Sequence, residues 1–436
     1  MTFVPLTIGL IGLGGLFVMV ALGVRIVFAA ACVGMIGLMY LRGPSIGPNI
    51  AGMIPYDKST TYALSVLPMF ILIGFLAQNA GLINASFRAA VRWVGWMPGG
   101  LAISTVFATA GFAAVSGAST ATAAVFSRIA IPEMLRYGYD RRMAAAVVAA
   151  GGTLASLIPP SAILVIYGVI AEQSIGRLLL AGFIPGIVSA LIYAGLIYGR
   201  FALNPSLGRP VGGFTWKERA TSLVETTPIA LVVVIILGGI YTGWMTPTEA
   251  GAGGAFVVFV IALLRGGLGG RDLFDALMET AKLTVMIFSI IWGVIIFVRF
   301  LAFAGVPQVF ASWLVALPVE PIIVLIVILA IYMVLGMFMD GIGMLLLTLP
   351  IVIPAVVQLG YDPIWFGILV VKMCEIGLIT PPIGMNCYVV SGVRPDIPVH
   401  NVFAGVWPFV VADLVTVAVL IAFPDLVLFL PNLLLG

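Results

Sequence analysis

The sequence predicts an all-α polytopic membrane protein whose chain contains two related halves. Of its 436 residues, 62% are hydrophobic and only 8% are charged. Many apolar stretches without a charge are close to 20 residues long, which is the length of a helix that spans a bilayer. A set of Gly and Pro motifs also occurs twice, and every position in it is displaced by 222 residues. Together these observations predict two membrane repeats, each with a re-entrant helical hairpin and a helix broken by a Pro-Pro pair.

The repeated motifs are an Ile-Pro pair, a Gly-Tyr-Asp loop and a Pro-Pro pair. They are found at Ile131-Pro132, Gly138-Tyr139-Asp140 and Pro159-Pro160, and again at Ile353-Pro354, Gly360-Tyr361-Asp362 and Pro381-Pro382. The constant displacement means that neither copy has an insertion relative to the other. Membrane repeats that are interrupted at matching positions are typical of secondary transporters, whose binding sites lie at the breaks.

The order of the apolar segments divides the chain into five sections. We expect N-terminal scaffold helices in 1–96, a first transport repeat in 97–168, scaffold and connecting helices in 169–318, a second transport repeat in 319–392 and a C-terminal helix in 393–436. The third section includes a cytoplasmic link, 204–222, and an amphipathic segment, 265–281, that is expected at the membrane interface. The paired hairpins predict an elevator-type transporter, in which the two transport repeats move as one body against the other helices.

Each transport repeat begins with an apolar stretch that is interrupted near its middle. Ser116-Gly117-Ala118-Ser119-Thr120 interrupts the stretch 97–131, and Asp340-Gly341-Ile342-Gly343 interrupts 319–353. The limb 120–131 is too short to cross roughly 30 Å of hydrocarbon. We therefore predict re-entrant hairpins, whose non-helical tips must line a polar cavity or be buried in protein.

Basic residues predict the orientation of the repeats in the membrane. If the first hairpin enters from the cytoplasm, fifteen of the 20 Lys and Arg residues lie on the cytoplasmic side. The loop at Asp140 is then cytoplasmic and the loop at Asp362 is external, where each aspartate is expected to set a turn at a helix start. The two repeats are therefore inverted, which lets one fold open to either side.

The first Pro-Pro break is a candidate site for sodium. Two prolines remove two backbone donors and free carbonyl groups of the preceding turn, and sodium accepts carbonyl and hydroxyl oxygens as ligands. Hydroxyl groups are concentrated at the break and at the hairpin tip that faces it: Thr153, Ser156, Ser161, Ser116, Ser119, Thr120 and Thr122. The alternative is a simple kink in which these hydroxyls bond back onto their own helices.

The second break, Thr380-Pro381-Pro382-Ile383-Gly384-Met385-Asn386, faces the second hairpin tip. A carboxylate at membrane depth, such as Asp340, is rare and needs a partner. Asp340 could bind a cation together with carbonyl groups near Thr380, or it could cap the second limb of the hairpin. Both interpretations stay open.

Other charged residues in apolar segments have a functional and a structural interpretation. Arg299 could bind a substrate carboxylate as a bidentate donor, pair with Glu249, or extend to the interface. Lys372 and Glu375 are three residues apart and most simply pair with each other. Glu249 is expected to cap a helix start, and Asp413 to make a helix or subunit contact.

Missing motifs exclude several function classes. The sequence contains no phosphate-binding Gly-x-x-x-x-Gly-Lys-Ser/Thr loop and no His-Glu-x-x-His motif, which argues against ATP hydrolysis and against a metalloenzyme. The 3 cysteines suggest no disulfide framework. An intramembrane serine hydrolase built on Ser116 or Ser119 would have no histidine as its base. We therefore expect no enzyme activity, no cofactor and no transition metal.

The run Ser116-Gly117-Ala118-Ser119-Thr120-Ala121-Thr122, with Ile131-Pro132-Glu133-Met134 and Ile158-Pro159-Pro160-Ser161, resembles the large membrane subunit of tripartite ATP-independent periplasmic (TRAP) transporters, of the DctM type. Thr246-Pro247-Thr248-Glu249-Ala250 and Pro381-Pro382-Ile383-Gly384 also fit. The resemblance implies a multi-pass protein of the bacterial inner membrane that imports a small organic acid with sodium. It also implies two partners: a small membrane subunit, expected as a separate chain, and a periplasmic solute-binding protein.

The same resemblance implies where the ligands bind. The first sodium site would comprise Ser116, Gly117, Ser119, Thr153 and Ser161, and the second Asp340, Gly341, Thr380, Pro381 and Gly384. Substrate contacts are expected at Arg299, Ser119 and Asn386. Proton coupling through Asp340 is the nearest alternative, and a scaffold that only holds a partner is a further one.

Overall fold

A computed structural model describes residues 3–435, and this part of the chain is formed by helices without a strand. Seven of the described helices are long and apolar enough to cross a membrane. The prediction of an all-α polytopic membrane protein is therefore confirmed.

Nine of the described helices precede the first repeat or lie between the two repeats. The first five are α1 (Phe3–Ala21), α2 (Ile26–Arg42), α3 (Ile46–Ser59), α4 (Val66–Asn79) and α5 (Leu82–Val94). The other four follow the first repeat: α11 (Trp216–Tyr241), α12 (Pro247–Leu264), α13 (Gly270–Ala304) and α14 (Val306–Val315). The long helix α13 packs along α2 and α4, and α12 packs on α4. We call these nine helices the scaffold.

The two repeats have the same succession of helices. The first comprises α6 (Gly100–Ser116), α7 (Ser119–Arg136), α8 (Arg141–Gly152), α9 (Ala162–Ile170) and α10 (Ile175–Leu203). The second comprises α15 (Pro321–Gly336), α16 (Gly341–Gln358), α17 (Pro363–Ile379), α18 (Met385–Val393) and α19 (Val399–Ala422). A displacement of 222 residues carries both ends of α7 onto the ends of α16, and the start of α8 onto the start of α17. It also carries the start of α10 to within two residues of the start of α19.

The breaks predicted in each repeat are present. Asp140 caps α8 by accepting a hydrogen bond from the Met143 N–H at 3.0 Å. Asp362 caps α17 in the same way, with the Ile364 N–H at 2.7 Å. Both Pro-Pro peptide bonds, which separate α8 from α9 and α17 from α18, are cis. The predicted turns at the two aspartates are thus confirmed.

Two expected elements differ in the structure. The segment 265–281 is not a separate amphipathic helix, because residues from Gly270 onward are the first turns of α13, which runs for 35 residues without a proline. The C-terminal section holds two helices rather than one. Pro424 disfavours a helical conformation for the residue before it, so α19 ends at Ala422 and α20 (Asp425–Leu435) follows.

Helix α8 lies at the centre of the two repeats and is rich in alanine. Residues 143–152 are all buried, and α8 packs on α6, α7, α18 and α19. A Cβ added to Gly405 of α19 would lie 2.4 Å from the Arg142 carbonyl oxygen. Small residues let helix backbones approach closely in a membrane. The second repeat is thereby held directly against α8 of the first.

Candidate functional site

The first hairpin tip is pressed against the first Pro-Pro break. Helix α6 ends at Ser116, Gly117 adopts the left-handed conformation with φ +61°, and α7 begins at Ser119. A Cβ on Gly117 would lie 2.6 Å from the Pro160 carbonyl oxygen. Only glycine adopts this conformation without strain and leaves room for the carbonyl group. The predicted apposition of tip and break is therefore present.

Three of the predicted hydroxyls bond within their own repeat. The Ser116 hydroxyl lies 2.9 Å from that of Thr122. Thr153 donates to the Ala150 carbonyl at 2.7 Å, and Ser161 donates to the Ser156 carbonyl at 2.6 Å. The Thr153 contact is the back-bonded arrangement given above as the alternative to ligand binding. Ser161 also accepts a hydrogen bond from the Leu164 N–H at 3.4 Å, which caps α9.

Ser119 behaves differently, because it reaches across to the second repeat. Its Oγ lies 2.7 Å from Ser156 Oγ and 2.6 Å from Glu375 Oε2, and Ser156 Oγ is also hydrogen-bonded to Glu375 Oε1. Ser119 is 7% exposed, Ser156 3% and Glu375 2%. We call these three residues the junction cluster. They bring together the first tip, the first break and α17.

The expected pairing of Lys372 with Glu375 is wrong. Both lie on one face of α17, yet Lys372 Nζ forms an ion pair with Asp413 Oδ1 of α19 at 2.6 Å. The Tyr193 hydroxyl of α10 donates to Asp413 Oδ2 at 2.7 Å, and Lys372 Nζ lies 5.5 Å from the centre of the Tyr193 ring. All three side chains are fully buried. Lys372 and Glu375 thus each contact a partner outside α17. The predicted helix contact of Asp413 is confirmed.

Asp340 at the second tip is a helix cap. Its two carboxylate oxygens lie 3.3 and 3.1 Å from the Gly343 N–H, which donates to them at the start of α16. Asp340 is half-buried. Thr380 is buried and donates to the Ile376 carbonyl at 2.6 Å. The capping interpretation is confirmed, and it leaves further lone pairs of the carboxylate available to a cation.

Asn386 of α18 also links the repeats. Its side chain is fully buried, and Nδ2 donates to the Ala149 carbonyl of α8 at 3.2 Å. Its Oδ1 has no hydrogen-bond partner among the described residues. A buried acceptor without a donor is uncommon in folded proteins. Asn386 follows the second Pro-Pro break, which runs from Pro381 to Gly384. Its free oxygen is therefore a further candidate ligand atom for an ion or a substrate.

Arg299 lies apart from the junction cluster, in the wall of a cavity. It is exposed on α13 and lines a cavity of about 240 Å³ together with Lys58, Glu172 and Pro350. We call this the α16 cavity. The alternative pairing with Glu249 is wrong, since Glu249 accepts a hydrogen bond from the Thr246 N–H at 2.7 Å in a capping box that starts α12.

A second cavity, of about 390 Å³, lies on the corresponding face of α7 and is called the α7 cavity. Ala124 and Arg128 line it. The 222-residue displacement carries these two positions onto Leu346 and Pro350, which line the α16 cavity. The second limb of each hairpin therefore has a cavity on the same face.

Comparison with known proteins gives a consistent result. The family model described as "Tripartite ATP-independent periplasmic transporter, DctM component" matches residues 13–426. The chain is 36% identical to the C4-dicarboxylate TRAP transporter large permease protein DctM of Pseudomonas aeruginosa, over 86% of this chain and 88% of that protein. It is 32% identical to the sialic acid TRAP transporter large permease protein SiaM of Vibrio cholerae, over 97% of each. The structure of the YdaH transporter of Alcanivorax borkumensis shares the fold, with a TM-score of 0.61, 15% identity and coverage of 86% and 87%.

Proposed function

This chain belongs to the DctM component family of tripartite ATP-independent periplasmic transporters, and we propose that it is the large permease of a sodium-coupled importer of a small organic acid. The curated relatives quoted above are large permeases for a C4-dicarboxylate and for sialic acid, and both substrates are acids. We place the protein in the bacterial inner membrane. A small membrane subunit and a periplasmic solute-binding protein would complete the transporter.

The junction cluster is the observation that carries the sodium proposal. Glu375 and Asp413 are two buried carboxylates, and among residues 3–435 Lys372 is the one buried cation beside them. Buried charge is costly unless it is paired. A monovalent cation next to Ser119 and Glu375 would balance this set, and hydroxyl and carboxylate oxygens are suitable ligands for it.

We extend the first sodium site accordingly. It would comprise Ser116, Gly117, Ser119, Thr153 and Ser161, as expected, with Glu375 as its anionic ligand. The second site would comprise Asp340, Gly341, Thr380, Pro381 and Gly384. Gly384 has φ +54°, and a Cβ there would lie 3.1 Å from the Thr380 carbonyl oxygen. This close turn exposes carbonyl groups at the break, which supports ion binding there.

Substrate binding is proposed at Arg299, Ser119 and Asn386. Arg299 and Lys58 both line the α16 cavity, which lies between the scaffold helix α13 and helices α9 and α16 of the repeats. A guanidinium group binds a carboxylate in a bidentate manner. This supports recognition of an organic acid where the scaffold meets the repeats.

For an elevator movement, α10 and α19 belong with the moving body. The buried ion pair joins α17 to α19, and Tyr193 joins α10 to the same carboxylate. Breaking such a pair costs about 3–5 kcal/mol, so we do not place a sliding interface there. The moving body proposed is α6–α10 with α15–α19. A cross-link between α13 and α16 is expected to stop uptake and to leave sodium binding intact.

The test is uptake of labelled organic acids by vesicles that contain the permease with its small subunit and binding protein. We expect uptake to require an inward sodium gradient and to stop when choline replaces sodium. Uptake that a proton gradient alone sustains would overturn sodium coupling. Normal uptake by both Asp340→Asn and Arg299→Ala variants would overturn the site assignments.

A further inference from the structure

We propose that the α7 cavity is a binding site for the carboxylate group of the transported acid, formed by Arg128, Gln78 and Asn84. This inference rests on the proposed function, and it adds a site on the predicted cytoplasmic side. There the acid would bind after it leaves the junction cluster and before it enters the cytoplasm.

The polar lining of the α7 cavity is suited to an anion. Arg128 lies on α7, Gln78 near the end of α4 and Asn84 in the first turn of α5. None of the three side chains has a hydrogen-bond or ion-pair partner within the described residues, and no Asp or Glu lines the cavity. A guanidinium group and two amide groups together offer up to nine N–H donors. A carboxylate is the complementary acceptor.

The cavity is also connected to the first hairpin tip. A smaller pocket of about 60 Å³ is lined by Ser116 and Ala118 of the tip. Gln78, Ala121 and Val125 line both this pocket and the α7 cavity. The two spaces therefore adjoin along one face of α7. An acid at the tip would reach Arg128 without crossing a helix.

The α16 cavity, at the equivalent position of the second repeat, also supports a carboxylate site in the α7 cavity. It lies on the matching face of α16 and carries Arg299 and Lys58, together with the carboxylate of Glu172. In an inverted repeat, one such cavity opens to each side of the membrane. Arg299 would bind the acid on the external side and Arg128 on the cytoplasmic side. At about 390 Å³, the α7 cavity lies in the size range of small-molecule sites.

The test measures the local electrostatic field with a cysteine, so that it does not depend on the identity of the substrate. Ala124 lies one helical turn from Arg128 and lines the same cavity. Ala124→Cys would be introduced in a Cys32→Ser background, because Cys32 is exposed whereas Cys374 and Cys387 are buried. The full-length chain in inside-out vesicles is then labelled with a sulfonate-bearing or a trimethylammonium-bearing thiol reagent.

We expect the anionic reagent to react faster, and the ratio of the two rates to fall about tenfold in Arg128→Gln. Ala302→Cys, in the wall of the α16 cavity, is the matched control. It is labelled in right-side-out vesicles, because that cavity is expected to open to the external side, and its ratio should not change in Arg128→Gln. Equal rates for both reagents, or a ratio that Arg128→Gln leaves unchanged, would overturn the site.

Transport provides the second readout. In the complete transporter, Arg128→Gln is expected to lower the maximal rate of uptake while the substrate concentration for half-maximal uptake stays the same, because delivery occurs on the other side. Gln78→Ala with Asn84→Ala should have the same effect, only weaker. An intact maximal rate would overturn the role in release even if the anion preference is found. Failure of wild-type uptake in sodium would instead contradict the proposed function.

Discussion

The two repeats share their helix ends but not their chemistry. Position by position, Thr153 of the first repeat corresponds to Glu375 of the second, and Ser156 corresponds to Leu378. The first repeat contributes hydroxyl groups to the junction cluster, and the second contributes the carboxylate. Neither repeat contains the whole cluster. A site between two similar halves can therefore be asymmetric in its ligands although the backbone around it is repeated.

The two hairpin tips differ in a related way. Asp340 caps α16 with its own side chain, whereas the corresponding Ala118 cannot cap α7. The first tip is held by other parts of the chain instead, through Gly117 against Pro160 and Ser119 against Glu375. The first tip should thus depend on the second repeat, and the second tip mainly on itself.

The largest expected effect comes from the buried ion pair between Lys372 and Asp413, which joins α17 to α19 within the second repeat. Asp413→Ala leaves the Lys372 ammonium buried without a counter-charge and should lower the free energy of unfolding by about 3–5 kcal/mol. Thermal unfolding in detergent measures this loss. The double variant Lys372→Met with Asp413→Leu is the control, and it should recover most of the stability. A double variant as unstable as the single one would contradict the claim that an unpaired buried charge causes the loss of stability.

A smaller effect is expected from an added methyl group at each tip. Gly117→Ala combines a left-handed backbone with a Cβ that meets a carbonyl oxygen, and it should destabilise the protein by about 1–3 kcal/mol. At Gly341 the one close contact of the added Cβ would be the Cδ1 atom of Ile163, at 2.6 Å, which is the end of a flexible side chain. Gly341→Ala should therefore lower the free energy of unfolding less than Gly117→Ala does. Equal losses of stability in the two variants would contradict the difference between the tips.

Two variants of Asp340, the cap at the second tip, distinguish the stability that comes from the capping hydrogen bond from the stability that comes from the carboxylate charge. Asp340→Ala should lower stability by about 0.5–2 kcal/mol, because it removes the acceptor for the Gly343 N–H. Asn is also a good capping residue, so Asp340→Asn should retain most of this stability in potassium. The measurement is thermal unfolding of both variants without sodium. An Asn variant as unstable as the Ala variant would mean that the carboxylate charge stabilises α16.

Arg299 is exposed, and its removal should change stability least. Arg299→Gln is expected to leave the free energy of unfolding within about 0.5 kcal/mol of the wild type. Its effect should be on transport, because the α16 cavity loses a donor for the carboxylate. Uptake assays at several substrate concentrations should show a higher concentration for half-maximal uptake. A loss of maximal rate alone would indicate a role other than substrate binding.

The sequence predicted the helix breaks and caps because local chemistry determines them. Asp140, Asp362, Asp340 and Glu249 precede or begin helices, where a short acidic side chain satisfies free N–H groups. The partners in the junction cluster could not be predicted this way. Ser119 and Glu375 are 256 residues apart, and only tertiary packing brings them together. One signal was nevertheless present, since the 222-residue displacement carries Thr153, already a candidate, onto Glu375.

The pairing of Lys372 shows why spacing along a helix is a weak guide in a buried region. Three residues separate it from Glu375, which permits a contact on the helix surface. On a fully buried helix every face meets another helix, and α19 provides Asp413 within 2.6 Å. Similarly, the sequence left open a pairing of Arg299 with Glu249, whereas the structure places Arg299 in a cavity wall on α13 and uses Glu249 to cap α12.

The most direct test of the central claim is thermal unfolding of the purified protein against sodium concentration, with potassium as the control, in wild type, Glu375→Gln and Asp340→Asn. A ligand that binds only the folded state stabilises it by about 2.7 kcal/mol at a concentration 100 times its dissociation constant. We predict a sodium-specific rise in the wild type that is smaller in each variant, because each would lose the carboxylate of one site. No sodium effect in the wild type, or an undiminished effect in Glu375→Gln, would contradict a sodium site formed between the two repeats.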